Sequence, residues 1–299
     1  MTNHISTHKA EEDARNEAIF IYVNGRVLPK ADAVVSVYDA GFMLGDGVWE
    51  GIRLYDGRWA FLDEHIERLF EAAKAIDLDI AMTPDQVKSA LLETQKANGM
   101  VTDAHARLMV TRGVKTRPFQ HPKLSQRGPT VAIIMEHSRP KLPRPIRLAT
   151  VPHLRGLPMT QDPKLNSHSK LNCILACIAA EKAGADEALM LDVHGFVNTT
   201  NACNFFIVRK GQVWTSTGDY CMNGITRGKV IQLCRDNDIP VFERNFSLVD
   251  VYSAEEAFLT GTFGAQTPVG VIDGRQIGTG QMGPMTERLR TLYKALVAA

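Results

Sequence analysis

The chain has 299 residues, of which 44% are hydrophobic and 22% charged, a globular composition long enough for one large domain or two of average size. Its 34 basic and 33 acidic residues leave a net charge of +1, which argues against nucleic acid or an anionic membrane surface as a partner. No apolar run approaches the roughly 18–20 residues that span a bilayer, and the polar stretch Met1 to Glu17 lacks the apolar block of a signal peptide. Residues 1–18 therefore read as a flexible lead-in, and the cytoplasm is the expected location.

Ile19 to Val27 reads as a strand, an Asn24-Gly25 turn and a return strand. Val34, Val35 and Val37 suggest another strand ahead of the glycine-rich stretch 41–51. Gly51 to Leu54 and Trp59 to Phe61 then flank an Asp56-Gly57 turn as two more. Ile66, Leu69, Phe70 and Ala73 recur at helical spacing and predict a helix over 63–76. Thr83-Pro84-Asp85 opens a second helix by cap, proline and acidic first turn, running to Asn98-Gly99. Strands at 106–111 and 130–136 complete a small sheet. Ser138 to Pro145, with three prolines in eight positions, is the expected linker. Beyond it, strands at 187–191, 204–208 and 257–259 alternate with helices at 172–183 and 226–236. The fold class is α/β (α+β): a small N-terminal α/β domain over 19–137, the linker 138–145, and a larger, β-rich α/β domain over 146–299.

Five cysteines, an odd number at low density, do not suggest a disulfide framework. Cys173 and Cys177 fall on one helical face and read as core packing. His4, His8 and His65 have no ligand spacing, and no metal is expected.

Several segments carry more specific information. They are Gly41-Phe42 with Gly45-Asp46-Gly47-Val48-Trp49-Glu50-Gly51, then Phe61-Leu62-Asp63-Glu64-His65-Ile66-Glu67-Arg68-Leu69, then Val110-Thr111-Arg112-Gly113. Asn204-Phe205-Phe206, Val213-Trp214-Thr215, Met222-Asn223-Gly224-Ile225-Thr226-Arg227, Leu259-Thr260-Gly261-Thr262 and Thr267-Pro268-Val269 follow. In this order, and over roughly residues 19 to 295, they resemble the class IV (fold-type-IV) aminotransferases, especially branched-chain and D-amino-acid aminotransferases. The resemblance implies pyridoxal 5'-phosphate (PLP) as cofactor and a homodimer.

PLP needs a lysine for its Schiff base, a phosphate cradle and a partner for the pyridine nitrogen. Gly224-Ile225-Thr226 opens a helix, where unpaired N–H groups and the helix dipole favour a dianion, so Ile225 and Thr226 are phosphate candidates. Thr262 and Phe263 offer a second turn of backbone N–H groups after Gly261. Arg68 binds the phosphate if the resemblance holds; otherwise it is a helix charge paired with Glu64. Lys170, in Ser169-Lys170-Leu171-Asn172, is the expected Schiff-base lysine, although its distance to Gly184 is about one helical turn short of the family spacing. Lys164 is the alternative.

At the pyridine nitrogen the family usually carries glutamate, and this chain has Thr199, which is equally readable as a plain strand residue. A hydroxyl does not hold a protonated ring nitrogen as a carboxylate does. Arg117 resembles a carboxylate-binding arginine, but Phe119 and Trp49 replace that site's usual histidine and tyrosine. Arg107 is a second candidate for the carboxylate, or else a structural ion pair. The aromatics suggest an apolar substrate. Transamination is the leading expectation; the alternatives are a PLP lyase resembling aminodeoxychorismate lyase and a non-catalytic PLP-binding protein.

Overall fold

The computed structural model describes residues 6–141 and 144–298. Residues 142–143 of the expected linker, and His4 with the rest of the first five residues, lie outside it. The chain forms two compact units. The smaller comprises Ala10–Arg139 and Leu165–Lys170; the larger comprises Met1–Lys9, Pro140–Lys164 and Leu171–Ala299.

The smaller unit is built from β1 (Phe20–Val23), β2 (Arg26–Pro29), α1 (Ala40–Leu44), β3 (Gly47–Tyr55), β4 (Arg58–Trp59), α2 (Leu62–Ala75), α3 (Pro84–Asn98), β5 (Ala104–Thr111) and β6 (Thr130–His137). Its strands form one antiparallel sheet in the order β2-β1-β6-β5-β3-β4. Asn24 and Gly25 both take positive φ, 46° and 83°, which is what a two-residue hairpin turn with the strands' own twist demands. Helix α3 is bounded by local chemistry: Thr83 and Gln86 form a reciprocal capping box, and Gly99 ends it in the left-handed region.

Ile66, Leu69 and Ala73 of α2 and Val87 and Leu91 of α3 pack on Val48, Ile52, Leu108 and Ile133, so the helices cover one sheet face. Val34, Val35 and Val37 are not a strand. They are exposed, and no neighbouring strand pairs with them. Residues 166–168 dock along the start of β3, where the Trp49 N–H donates to the Asn166 carbonyl (2.9 Å) and the His168 N–H to the Gly47 carbonyl (3.0 Å).

The larger unit contains β7 (Ile146–Thr150), α4 (Pro158–Gln161), α5 (Leu171–Lys182), β8 (Glu187–Leu191), β9 (Val197–Thr200), β10 (Asn204–Arg209), β11 (Gln212–Thr215), α6 (Ile225–Asp236), β12 (Val241–Glu243), α7 (Leu248–Tyr252), β13 (Glu256–Gly261), β14 (Ala265–Ile272), β15 (Arg275–Gln276) and α8 (Pro284–Ala298). Strands β10-β13-β14-β7-β8-β9 run in sequence, and β9 pairs back onto β10 through Thr199 and Asn204, closing a six-stranded ring.

Alternation along the strands gives the ring two surfaces. Phe205, Ile207, Leu259, Leu189 and Val269 form its interior with Phe246 and Val251. Phe206, Val208 and Phe258 face outward to Val230 and Ile231 of α6 and Leu289 of α8. Helix α5 packs outside β7 and β8 through its small residues, Ala176 and Ala180. That choice leaves Cys177 exposed and Cys173 half-buried, so the expected core role of these cysteines is not what the helix adopts. The start of the chain is anchored here as well: both the N–H and the hydroxyl of buried Thr7 donate to Glu187 Oε1, at 2.9 and 2.7 Å. Among the described residues no helix is long and apolar enough to cross a membrane.

Candidate active site

In the smaller unit the pleat of β3 separates two functions. Glu50 points toward α2, whereas its neighbours Trp49 and Gly51 lie on the opposite face, with Arg107 of β5 in register across from Gly51. The Arg107 guanidinium stacks 3.8 Å from the Trp49 ring centroid, and Lys170 Nζ lies 5.5 Å from the same ring. Two cations thus share one indole, an arrangement favoured by the ring quadrupole. The ring itself is held by Nε1–H, which donates to the Ser167 carbonyl at 3.1 Å. Among the described residues Arg107 has no ion pair, and its guanidinium rests on the indole.

His168 Nε2–H donates to the Val48 carbonyl (3.1 Å), which fixes the tautomer and leaves Nδ1 as the acceptor. Burial, reinforced by the Arg107 and Lys170 charges and opposed by the carbonyl bond, pushes this imidazole below its ordinary value. His168 carried no signal in the sequence as a site residue. Lys164 is an exposed residue of the larger unit, where its N–H donates to Asp162.

Arg68 reaches from α2 to β3. Its Nε and Nη2 donate to the two oxygens of Glu50, at 2.7 and 2.8 Å. His65 Nδ1 lies 2.7 Å from Glu50 Oε2. Burial by itself raises the Glu50 carboxyl, but the His65 and Arg68 hydrogen bonds and the Arg68 charge outweigh it and hold the group below its ordinary value. Arg117 and Phe119 are exposed on the connection between β5 and β6, and neither makes a hydrogen bond or ring contact with Trp49 or Arg107.

In the larger unit, Thr199, Gly224–Thr226 and the turn after β13 converge around Asn204. Thr199 is in register with Asn204 on β9, and Thr260 is its partner on β13. Asn204 Nδ2 donates to the Met222 carbonyl (2.9 Å), and a Cβ on Gly224 would come within 2.4 Å of Asn204 Oδ1. Only glycine fits that approach. It is also why the N-terminus of α6 has no side-chain cap: Gly224 is the N-cap, followed by half-buried Ile225 and buried Thr226.

At Gly261 an added Cβ would meet Cys203 Sγ at 2.9 Å, which holds the turn bearing half-buried Thr262 and buried Phe263 against β10. Phe263 stacks with His8, centroids 6.0 Å apart. The Thr199 hydroxyl donates to the Cys203 carbonyl at 2.7 Å, so its proton is committed and its oxygen is left as an acceptor.

Two residues the sequence did not single out complete this belt. Thr260 and Gln266 are directly paired, 2% and 1% exposed, and the Thr260 hydroxyl and both Gln266 amide atoms are buried with no partner. Buried polar atoms of this kind are costly unless a ligand or water satisfies them. An uncapped helix N-terminus, a glycine-lined turn and orphaned amide and hydroxyl groups together fit a phosphorylated, polar cofactor such as PLP.

Among the described residues no group of three His, Cys, Asp or Glu could hold a metal ion. Burial pushes the Cys203 thiol up to about 12, far from a reactive thiolate.

Comparison with known proteins gives the family. The amino-transferase class IV family model matches residues 47–272. A putative branched-chain-amino-acid aminotransferase of Methanocaldococcus jannaschii is 41% identical over 277 residues, covering 92% of this chain and 95% of that one. Branched-chain-amino-acid aminotransferase-like protein 2 of Arabidopsis thaliana is 39% identical over 283 residues, 94% of this chain and 51% of that protein. The chain thus spans about half the length of the first curated relatives it matches. A branched-chain amino acid aminotransferase from Thermobaculum terrenum, solved in its PLP form, superposes with a TM-score of 0.84 at 26% identity, covering 94% of each chain. The chain belongs to the class IV aminotransferases.

Proposed function

We propose that this chain is a PLP-dependent transaminase that moves an amino group between an amino acid or amine with an apolar side chain and a 2-keto acid. The observation that carries the reading is the pairing of Lys170 and Arg107 over Trp49, an amine and a carboxylate-binding fork on one aromatic wall. PLP, when bound, supplies the electron sink that lets the substrate Cα–H bond break. Lys170 would be the residue that holds the cofactor, and its amine would take up the proton released at the substrate α-carbon and give it back. Arg107 takes the α-carboxylate, and the indole it stacks on favours an apolar side chain.

The N–H groups of Ile225 and Thr226, the Thr226 hydroxyl and the turn at Thr262 and Phe263 would serve the phosphate; the resemblance to the family makes Arg68 a phosphate residue as well. Thr199 would stand where the family carries its carboxylate; with its proton given to the Cys203 carbonyl, it could accept only from a protonated ring nitrogen and would hold it less firmly than a carboxylate. A homodimer is the proposed assembly; Leu171, Ile174 and Ile178 leave an apolar stripe on α5 that is 67%, 51% and 42% exposed. Sedimentation equilibrium reads that directly.

The near-visible spectrum of the purified protein, borohydride trapping and peptide mapping test the reading together. A cofactor band that an amino acid bleaches and a keto acid restores, with a reduced label on Lys170, is the expected result. A label on Lys164 moves the lysine; no band after PLP is added removes the function. Arg107→Leu is expected to raise KM for carboxylate-bearing substrates by about 10- to 100-fold, the scale of one charge-assisted fork. An equal KM effect on amines lacking a carboxylate would assign Arg107 to packing instead.

A further inference from the structure

We propose that Glu50 is a positioning residue for Arg68, with His65 as its second anchor, so that a carboxylate on β3 sets how tightly the cofactor phosphate is held. The inference rests on the reading of Arg68 as the phosphate arginine. The Glu50 side chain is 1% exposed, and it spends both oxygens on α2: Oε1 accepts from Arg68 Nε, and Oε2 from Arg68 Nη2. His65 Nδ1, itself buried, stands 2.7 Å from Oε2 and gives the carboxylate a second partner on α2.

A fork-to-fork pair fixes the plane of the guanidinium as well as its position. An arginine so held has already given up the rotamer freedom that a mobile one loses on binding an anion. A buried carboxylate is also a costly way merely to anchor a helix, since an apolar pair does that without desolvating two charges. Glu50 and Arg68 come from two of the segments, 45–51 and 61–69, that carry the resemblance to aminotransferases. They are brought together by strand parity, since Glu50 faces the helix while Trp49 and Gly51 face away.

The test compares PLP with pyridoxal, which lacks the phosphate, by absorbance titration of the wild type, Glu50→Gln and Arg68→Ala. The wild type is expected to prefer PLP. Glu50→Gln should weaken PLP by about tenfold while leaving pyridoxal within roughly twofold, and it should add nothing in the Arg68→Ala background. Glu50→Asp, which keeps the charge and withdraws the fork by one methylene, should show the same selectivity loss in smaller degree, and it covers the case in which the glutamine variant does not fold. Equal weakening of both ligands, or PLP affinity unchanged in both variants, overturns the inference. A wild type with no preference for the phosphate overturns the reading of Arg68, and this inference with it.

Discussion

Lys170→Ala is expected to lower transamination by on the order of 10³-fold or more, because it removes both the covalent attachment and the proton-transfer amine. The expected spectrum is that of non-covalently bound PLP, and borohydride should leave no label on the chain. Position supports the choice. The segment 165–170 belongs to the smaller unit, its backbone is hydrogen-bonded to β3 at Gly47 and Trp49, and Lys170 is the lysine it delivers to the indole. Single-turnover mixing with an amino acid separates the chemical step from release. Partial rescue by added small amines would show that the missing group acts as a base. Retained activity in Lys170→Ala, with loss in Lys164→Ala, would sink the assignment.

Phe258→Ala is expected to destabilise the larger unit by about 3–5 kcal/mol, the usual cost of an emptied aromatic core site. Phe258 and Phe206 are fully buried on adjacent strands, their rings 5.0 Å apart and 9° from parallel, beneath α6 and α8. The consequence reaches the site. The next outward-facing residues on these strands, Thr260 and Asn204, form the polar belt beside the N-terminus of α6. The denaturation midpoint, followed through Trp214, is the measurement, with Phe258→Leu as the smaller-cost control. PLP affinity should fall together with the midpoint in the alanine variant. A midpoint within error of wild type would mean that the α6 and α8 layer does not depend on this pair.

Much of the architecture was legible because local chemistry encodes it. The Thr83–Gln86 capping box and Gly99 bound α3 wherever the chain around them goes, and Asn24-Gly25 fixes the first hairpin. The valines at 34, 35 and 37 misled because β propensity without a partner strand does not make a strand. Cys173 and Cys177 misled because the closely packed face of α5 uses its alanines.

The sequence by itself determined the family and, through it, the cofactor, since the motifs that carry them are written in contiguous residues with their own backbone preferences. Only the tertiary structure decided that Arg68 meets Glu50, and that the Arg107 side chain rests on Trp49. It also closed the ring that aligns Thr199, Asn204, Thr260 and Gln266. These partners lie on different strands and helices. Which of them meet is set by sheet register and strand parity, and those are fixed by which faces the whole core buries, a property no local window of residues contains.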